Sequence, residues 1–417
     1  SGALFWSMGL NGVTDLNATI VEGREHLFEQ LPSQTGQYGS FYQHYNTKWG
    51  QKLTYNFYKL NLTKKFGENY MTPFVNHTFK RLKSWGINTI GAWSDTLFFD
   101  GTIPFTMYLN TETFPRRLEC PYLHINDMPD PFDPSFLDYC KTRFQSTIGP
   151  RISNRNFMGV MVDNEISWGW DTTDELRYNI ALGAMQASVY QPARVELRRQ
   201  LRVKYTTIEN VNAAWGTDFA SWSDFATRIW SPAGYTSAMH ADFKTFTASF
   251  AAAYYNKVRL ALNSIGFRGL YLGSRFYCRT TEVIQSAAKY CDVLTINIYG
   301  PAESVDWDYL QAMPKPVIIS EFSFGQQEGP SIGGPAETYS QEERFTKTRG
   351  FIESAIRKSN VVGVHWFEYS DHPITGRFSD GENYGIGLVD IADTPRMDVV
   401  EGIRAATSNI YGLRSQP

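Results

Sequence analysis

Two glutamates close short apolar runs in this chain. Glu165 ends Gly159-Val160-Met161-Val162-Asp163-Asn164-Glu165, and Glu321 ends Pro316-Val317-Ile318-Ile319-Ser320-Glu321. A carboxylate at the end of a buried Val/Ile run is costly to desolvate without partners, so the placement points to function or to a structural ion pair. Paired carboxyls are what glycoside hydrolysis needs: one protonates the leaving oxygen and the other attacks or activates water. Asn164 directly precedes Glu165 where strand alternation breaks down, so it can bond a sugar hydroxyl while the glutamate works on the glycosidic oxygen. Trp168 stands close enough in sequence to bury the acid and raise its pKa. Asp163 is read as orienting a neighbour.

Glu321, read as a nucleophile, has to stay ionised. Arg275 and Tyr299, each ending another apolar run, are its candidate donors. Trp366, in His365-Trp366-Phe367-Glu368-Tyr369, offers a floor on which a sugar ring stacks. His365 and Glu368 are candidates for hydroxyl contacts, and Glu25, in a polar cluster with Glu22, Arg24 and His26, for lining the site. Each has a plainer reading too: an ion pair, a core tyrosine or a structural histidine.

These residues need a scaffold. Short apolar strands are expected near Leu4–Gly9, Thr89–Trp93, Phe105–Leu109, Phe157–Asn164, Gly269–Arg275, Val293–Tyr299, Val317–Glu321 and Val361–Phe367. Apolar residues spaced three and four apart predict helices over Val75–Trp85, Pro134–Thr147, Asp174–Tyr205, His240–Ile265, Thr281–Tyr290, Gln341–Lys358 and Pro395–Tyr411. Asp133-Pro134 and Ser340-Gln341-Glu342-Glu343 read as helix starts. Eight strands alternating with helices predict a parallel sheet, and continuously apolar strands favour a closed (β/α)8 TIM barrel. A doubly wound open sheet is the alternative, but no Gly-rich phosphate loop follows the first strand. The expectation is one catalytic domain over 1–417. Long loops inserted at about 14–72 and 110–133 would lie over its C-terminal face.

Composition narrows the classes. A net charge of −3 argues against nucleic acid or an acidic membrane as partner. No run of residues is long and apolar enough to span a bilayer. Aromatics make up 15% of the chain, enough for stacking surfaces and equally for a large core. With seven His, no HExxH and no clustered Cys/His, neither a metal site nor a cofactor is expected. No GxSxG elbow suggests serine hydrolase chemistry. Cys120, Cys140, Cys278 and Cys291 leave disulfides and free thiols both open, and chain length favours thiols. A secreted or periplasmic protein with its signal removed is expected, with a cytoplasmic one left open.

The run Val162-Asp163-Asn164-Glu165-Ile166-Ser167-Trp168-Gly169 resembles the acid/base motif of clan A glycoside hydrolases, above all the family 50 β-agarases. Gly23-Arg24-Glu25-His26-Leu27-Phe28 resembles the same family, as do Trp366-Phe367-Glu368-Tyr369-Ser370-Asp371-His372-Pro373 and Asp380-Gly381-Glu382-Asn383-Tyr384. Asn212-Ala213-Ala214-Trp215-Gly216-Thr217 is similar to a hallmark of families 42 and 50. The resemblance implies a retaining mechanism on a (β/α)8 barrel, with Glu165 as acid/base and Glu321 as nucleophile. The substrate would be an agar-type β-galactan, cut from an end to release a disaccharide. An exo-β-galactosidase releasing single galactose units is the alternative within the class, and a non-catalytic sugar-binding module the alternative outside it. Family 50 agarases carry a further domain before the barrel, whereas this chain opens almost at its first strand; a trimmed protein or a compact relative is expected.

Overall fold

The computed structural model describes residues 4–327 and 331–415. Eight parallel strands carry the architecture: β1 Ser7–Leu10, β2 Thr89–Ile90, β3 Phe105–Leu109, β4 Phe157–Val162, β5 Leu270–Tyr271, β6 Leu294–Asn297, β7 Val317–Phe322 and β8 Val361–Trp366. Each falls inside or against an apolar run that the sequence picks out. β1, β6 and β7 are buried along their whole length, as strands covered on both faces are.

Packing divides the chain into two compact units. One holds Ser1–Thr106, Ile298–Met313 and Val317–Pro417; the other holds Met107–Asn297 and Pro314–Pro316. In the first unit β1 pairs in parallel with β8, setting Leu10 opposite Trp366, and with β2, setting Leu10 opposite Ile90. β7 pairs with β8 through two register shifts, the second between Ile319 and Phe322, around Glu321. In the second unit β5 pairs with β4, Leu270 opposite Gly159.

The closed (β/α)8 TIM barrel expected from the sequence is corrected here. The hydrogen-bonded order is β5–β4–β3–β2–β1–β8–β7–β6, a ladder with two ends. Between the end strands β5 and β6 there is an isolated bridge, Phe276 to Ile296, in place of a regular strand pair. The strand–helix alternation is also uneven. An antiparallel hairpin (Tyr42–Thr47 with Gly50–Tyr55) and the helix Phe57–Phe66 fill the first long connection. A short pair (Arg117–Leu118 with Met128–Pro129) lies in the second.

The helices mostly follow their signals. Ser340 caps Gln341–Arg357 by accepting the Glu343 N–H at 3.1 Å, and the Glu343 carboxylate reaches back to the Tyr339 N–H at 2.7 Å. Asp133 accepts the Ser135 N–H at 2.8 Å just before Phe136–Ile148. Where the pattern predicts one helix over Asp174–Tyr205, three form: Asp174–Arg177, Asn179–Gln186 and Pro192–Tyr205. Pro192 lacks an N–H and starts the third at its first turn. All four cysteines are free and buried. Among the described residues no helix is long and apolar enough to cross a membrane.

One packing detail ties β1 to β8. His365 lies fully buried, its Nε2 2.9 Å from the Ser7 hydroxyl, and its ring fills the space over Gly9. A Cβ added at Gly9 would sit 2.2 Å from His365 Cδ2. Gly9→Ala is therefore expected to cost about 1–3 kcal/mol through overpacking. Denaturant unfolding checks this; an unchanged midpoint would mean that the imidazole has room to swing away.

Candidate active site

In the second unit the site starts where β4 stops. Asp163 and Glu165 both take left-handed backbone, φ 63° and 52°. For non-glycine residues this conformation is strained and persists only when the surroundings over-determine it. The surroundings do so here. Asp163 is fully buried; its carboxylate accepts the Thr111 N–H, the Thr111 hydroxyl and, at 2.5 Å, the Tyr254 hydroxyl. The Asp163 N–H donates to the Leu109 carbonyl at 2.8 Å, and Asn126 Nδ2 donates to the Asn164 carbonyl at 2.8 Å. Burial pushes the Asp163 carboxyl above its ordinary range, against the pull of those donors.

The turn presents two polar side chains. Asn164 Oδ1 accepts Arg275 Nε at 2.8 Å and Asn297 Nδ2 at 3.2 Å. With its oxygen so occupied, the amide is oriented with Nδ2 as the remaining donor. Glu165 Oε1 accepts Asn297 Nδ2 at 2.8 Å. Arg275, just beyond β5, is itself left-handed (φ 49°), fully buried and directed at Asn164. Asn297, the last residue of β6, bonds both Asn164 and Glu165. Sequence reasoning overlooked it, although a polar residue closing an apolar strand was a usable signal.

In the first unit Glu321 lies within β7, 5% exposed. The Tyr299 hydroxyl donates to its Oε2 at 2.6 Å, the bond expected from the sequence. The Ile298 N–H holds the Glu321 carbonyl at 2.9 Å, and Asn11 Nδ2 holds the Ser320 carbonyl at 2.9 Å. Trp93, just past β2, is 37% exposed and left-handed (φ 58°), with its ring edge-on to Phe367. It is an aromatic surface that sequence reasoning did not single out.

Several candidates sit elsewhere. Trp366 is fully buried, donates Nε1 to the Ile386 carbonyl at 2.9 Å and packs on Phe322, so it shows no face to a sugar. Trp168 is fully buried as well, stacked on Tyr255 and edge-on to Tyr254. It braces the helix Ser237–Ser264 behind the Asp163 turn instead of lining it. His365 is spent on Ser7. Glu368 Oε1 is 2.9 Å from His372 Nε2 and 3.6 Å from Arg377, part of a charge network with Asp380 and Glu382. Glu25 is exposed and accepts the Gly23 N–H at 3.1 Å. A cleft of about 690 Å³ in the first unit, walled by Phe28, Phe57, Asp371 and Arg396, includes neither Glu321 nor Tyr299.

Each unit thus holds one glutamate by a neutral donor, Asn297 on Glu165 and Tyr299 on Glu321. No protein-family model matches the chain. It is 32% identical to β-agarase B of Vibrio sp. (strain JT0107) over 94% of its own length, and 34% identical to β-agarase A of the same strain over 99%. It spans less than half of each, 43% and 44%. Among solved structures, an exo-β-agarase matches at a TM-score of 0.94 with 27% identity, over 99% of this chain and 63% of that one. PfGH50B matches at 0.93 with 27% identity, over 100% and 64%. The fold alone is shared with BpGH50, at 0.61 and 16% identity. The chain's relatives and structural neighbours are thus family 50 β-agarases. These matches carry neither the clan A assignment nor the kinship to family 42.

One further carboxylate abuts the turn. Glu112 accepts the Tyr108 hydroxyl at 3.1 Å, and its pKa is pushed up to about 7, first by burial and then by the Asp163 charge. The raised value means that the fold favours its protonated form. Its stabilising contribution is complete below about pH 4.5 and is lost as pH rises through about 7. Glu112→Gln, neutral at every pH, is expected to gain stability relative to the parent protein between pH 5 and pH 8. Urea unfolding at the two pH values checks it; a constant difference would contradict the shift.

Proposed function

We propose that this chain is the catalytic part of a family 50 agarase: a retaining glycoside hydrolase that cleaves β-galactosidic bonds of an agar-type galactan and releases a disaccharide from the chain end. The observation that carries this reading is that each strand-end glutamate is held by its own donor, Asn297 on Glu165 and Tyr299 on Glu321. The agarase relatives supply the substrate class.

In this mechanism Glu321 is the nucleophile. The Tyr299 bond orients its carboxylate. Glu321 attacks the anomeric carbon as the bond to the leaving oxygen breaks, and Glu165 gives that oxygen its proton. Glu165, now a carboxylate, takes a proton from water, and the resulting hydroxide displaces Glu321 from the sugar. Asn164 Nδ2 bonds a hydroxyl of the reacting sugar, held in place by Arg275 and Asn297. Trp93, in place of Trp366, supplies a stacking face. A polymeric substrate fits a secreted or periplasmic enzyme.

Product analysis tests the proposal. The purified protein is incubated with agarose, porphyran, carrageenans and simple β-galactosides, beside Glu165→Gln and Glu321→Gln. An agar-type disaccharide from the parent protein is expected, with a loss of about 10³-fold or more in each variant. Single galactose units would make it an exo-β-galactosidase. Binding without turnover on any of these would make it a sugar-binding module.

A further inference from the structure

The segment that follows β4 and the segment that follows β5 run side by side away from Glu165. The Glu165 N–H donates to the Arg275 carbonyl at 3.3 Å, and the Cys278 thiol donates to the Ile166 carbonyl at 3.2 Å. Further out, the Asp171 carboxylate accepts the Thr281 N–H and the Thr281 hydroxyl, each at 2.9 Å. Between these ties stand two aromatic rings. Tyr277 is 42% exposed, although Phe276 and Cys278 on either side of it are fully buried, so its ring turns outward. Trp170 is partly exposed, and its backbone N–H donates to the Leu176 carbonyl at 3.2 Å, which fixes the chain beneath the ring. The two rings meet edge-on, 5.4 Å between centroids and 85° between planes. A right-angled pair covers one ring face and leaves the other faces clear of the partner. The hydrogen bonds already join the two segments, so the rings are not needed as their clasp.

We propose that Tyr277 and Trp170 form the platform on which the leaving sugar stacks, the sugar bonded to the oxygen that Glu165 protonates. This deepens the proposed function and rests on reading Glu165 as the acid/base. An acid has to come within hydrogen-bond reach of the leaving oxygen, so the sugar on that oxygen lies against the acid's own surroundings. Here those surroundings are the two segments that carry the rings. Asn164, given to the reacting sugar, precedes Glu165 and is held from β5 and β6. The rings lie beyond Glu165 and Arg275 along their segments. Stacking on them orients the leaving sugar while its bond to the anomeric carbon breaks.

The test compares two substrates that share the released disaccharide. One is an agarose-derived oligosaccharide, whose leaving group is a sugar. The other is the β-fluoride of that disaccharide, whose leaving group is fluoride and needs no platform. The quantity read is the ratio of kcat/KM on the oligosaccharide to kcat/KM on the fluoride, for the parent protein, Tyr277→Ala, Tyr277→Phe, Trp170→Ala and Glu165→Gln. The ratio is expected to fall about fivefold or more in Tyr277→Ala and to fall in Trp170→Ala as well. Tyr277→Phe, which keeps the ring, is expected to hold it within about twofold. Trp170→Ala carries the test should Tyr277→Ala fail to fold. A parent ratio in both alanine variants would overturn the inference, whatever their absolute rates. A fall in Tyr277→Phe as deep as in Tyr277→Ala would assign the effect to the hydroxyl and overturn the stack. Full turnover of the oligosaccharide by Glu165→Gln would overturn the acid/base reading and this inference with it. An inactive Glu165→Gln beside parent ratios in the alanine variants would overturn this inference alone.

Discussion

The buried carboxylate of Asp163 holds the backbone in a conformation that its own sequence disfavours. It has no access to water, and its desolvation is offset by the Thr111 N–H, the Thr111 hydroxyl and the Tyr254 hydroxyl. Those three donors fix the loop after β3 and the long helix Ser237–Ser264 against the end of β4. With Asp163 pinned in left-handed backbone, the chain leaves the strand at a set angle, and Asn164 and Glu165 follow from it. Breaking a buried, fully bonded carboxylate costs several kcal/mol. The strain of two left-handed non-glycine residues, of order 1–3 kcal/mol each, is small enough for such a clamp to bear.

The same logic recurs at other strand ends. Among the described residues six non-glycine positions have positive φ, and four of them, Trp93, Asp163, Glu165 and Arg275, lie just past β2, β4 and β5. Sheet geometry ends there, and side chains are re-aimed. The buried amides do related work with hydrogen bonds: Asn11 holds the Ser320 carbonyl and accepts the Ala92 N–H at 2.9 Å, and Asn297 serves Asn164 and Glu165 together. Strand ends thereby carry the candidate groups, while side-chain amides fix their aim.

How far the sequence discloses this varies with the range of the interaction. The eight strands were legible because local apolar runs mark them, and Ser340 because a cap is a matter of three residues. Ladder closure was not legible: whether β5 and β6 pair regularly depends on backbone register that composition does not encode. Glu165 and Glu321 stood out as charges ending apolar strands. Tyr299 was found for the same reason, and the structure gives it the expected bond. Trp168 and Trp366 misled because an aromatic residue reads alike in a core and in a groove, and here both are buried. Asn297 and Glu112 escaped notice because their meaning lies in partners far along the chain, Glu165 at a separation of 132 residues for Asn297 and the Asp163–Asn164 turn for Glu112.

The central claim is that Glu321 forms a covalent bond to the sugar before water arrives. The most direct measurement is proton NMR of the anomeric signal during the first minutes of hydrolysis of an agarose-derived oligosaccharide, before mutarotation. The account predicts that the β-anomer of the new reducing end appears first, since two displacements restore the starting configuration. First appearance of the α-anomer would mean a single displacement by water and would contradict the role given to Glu321.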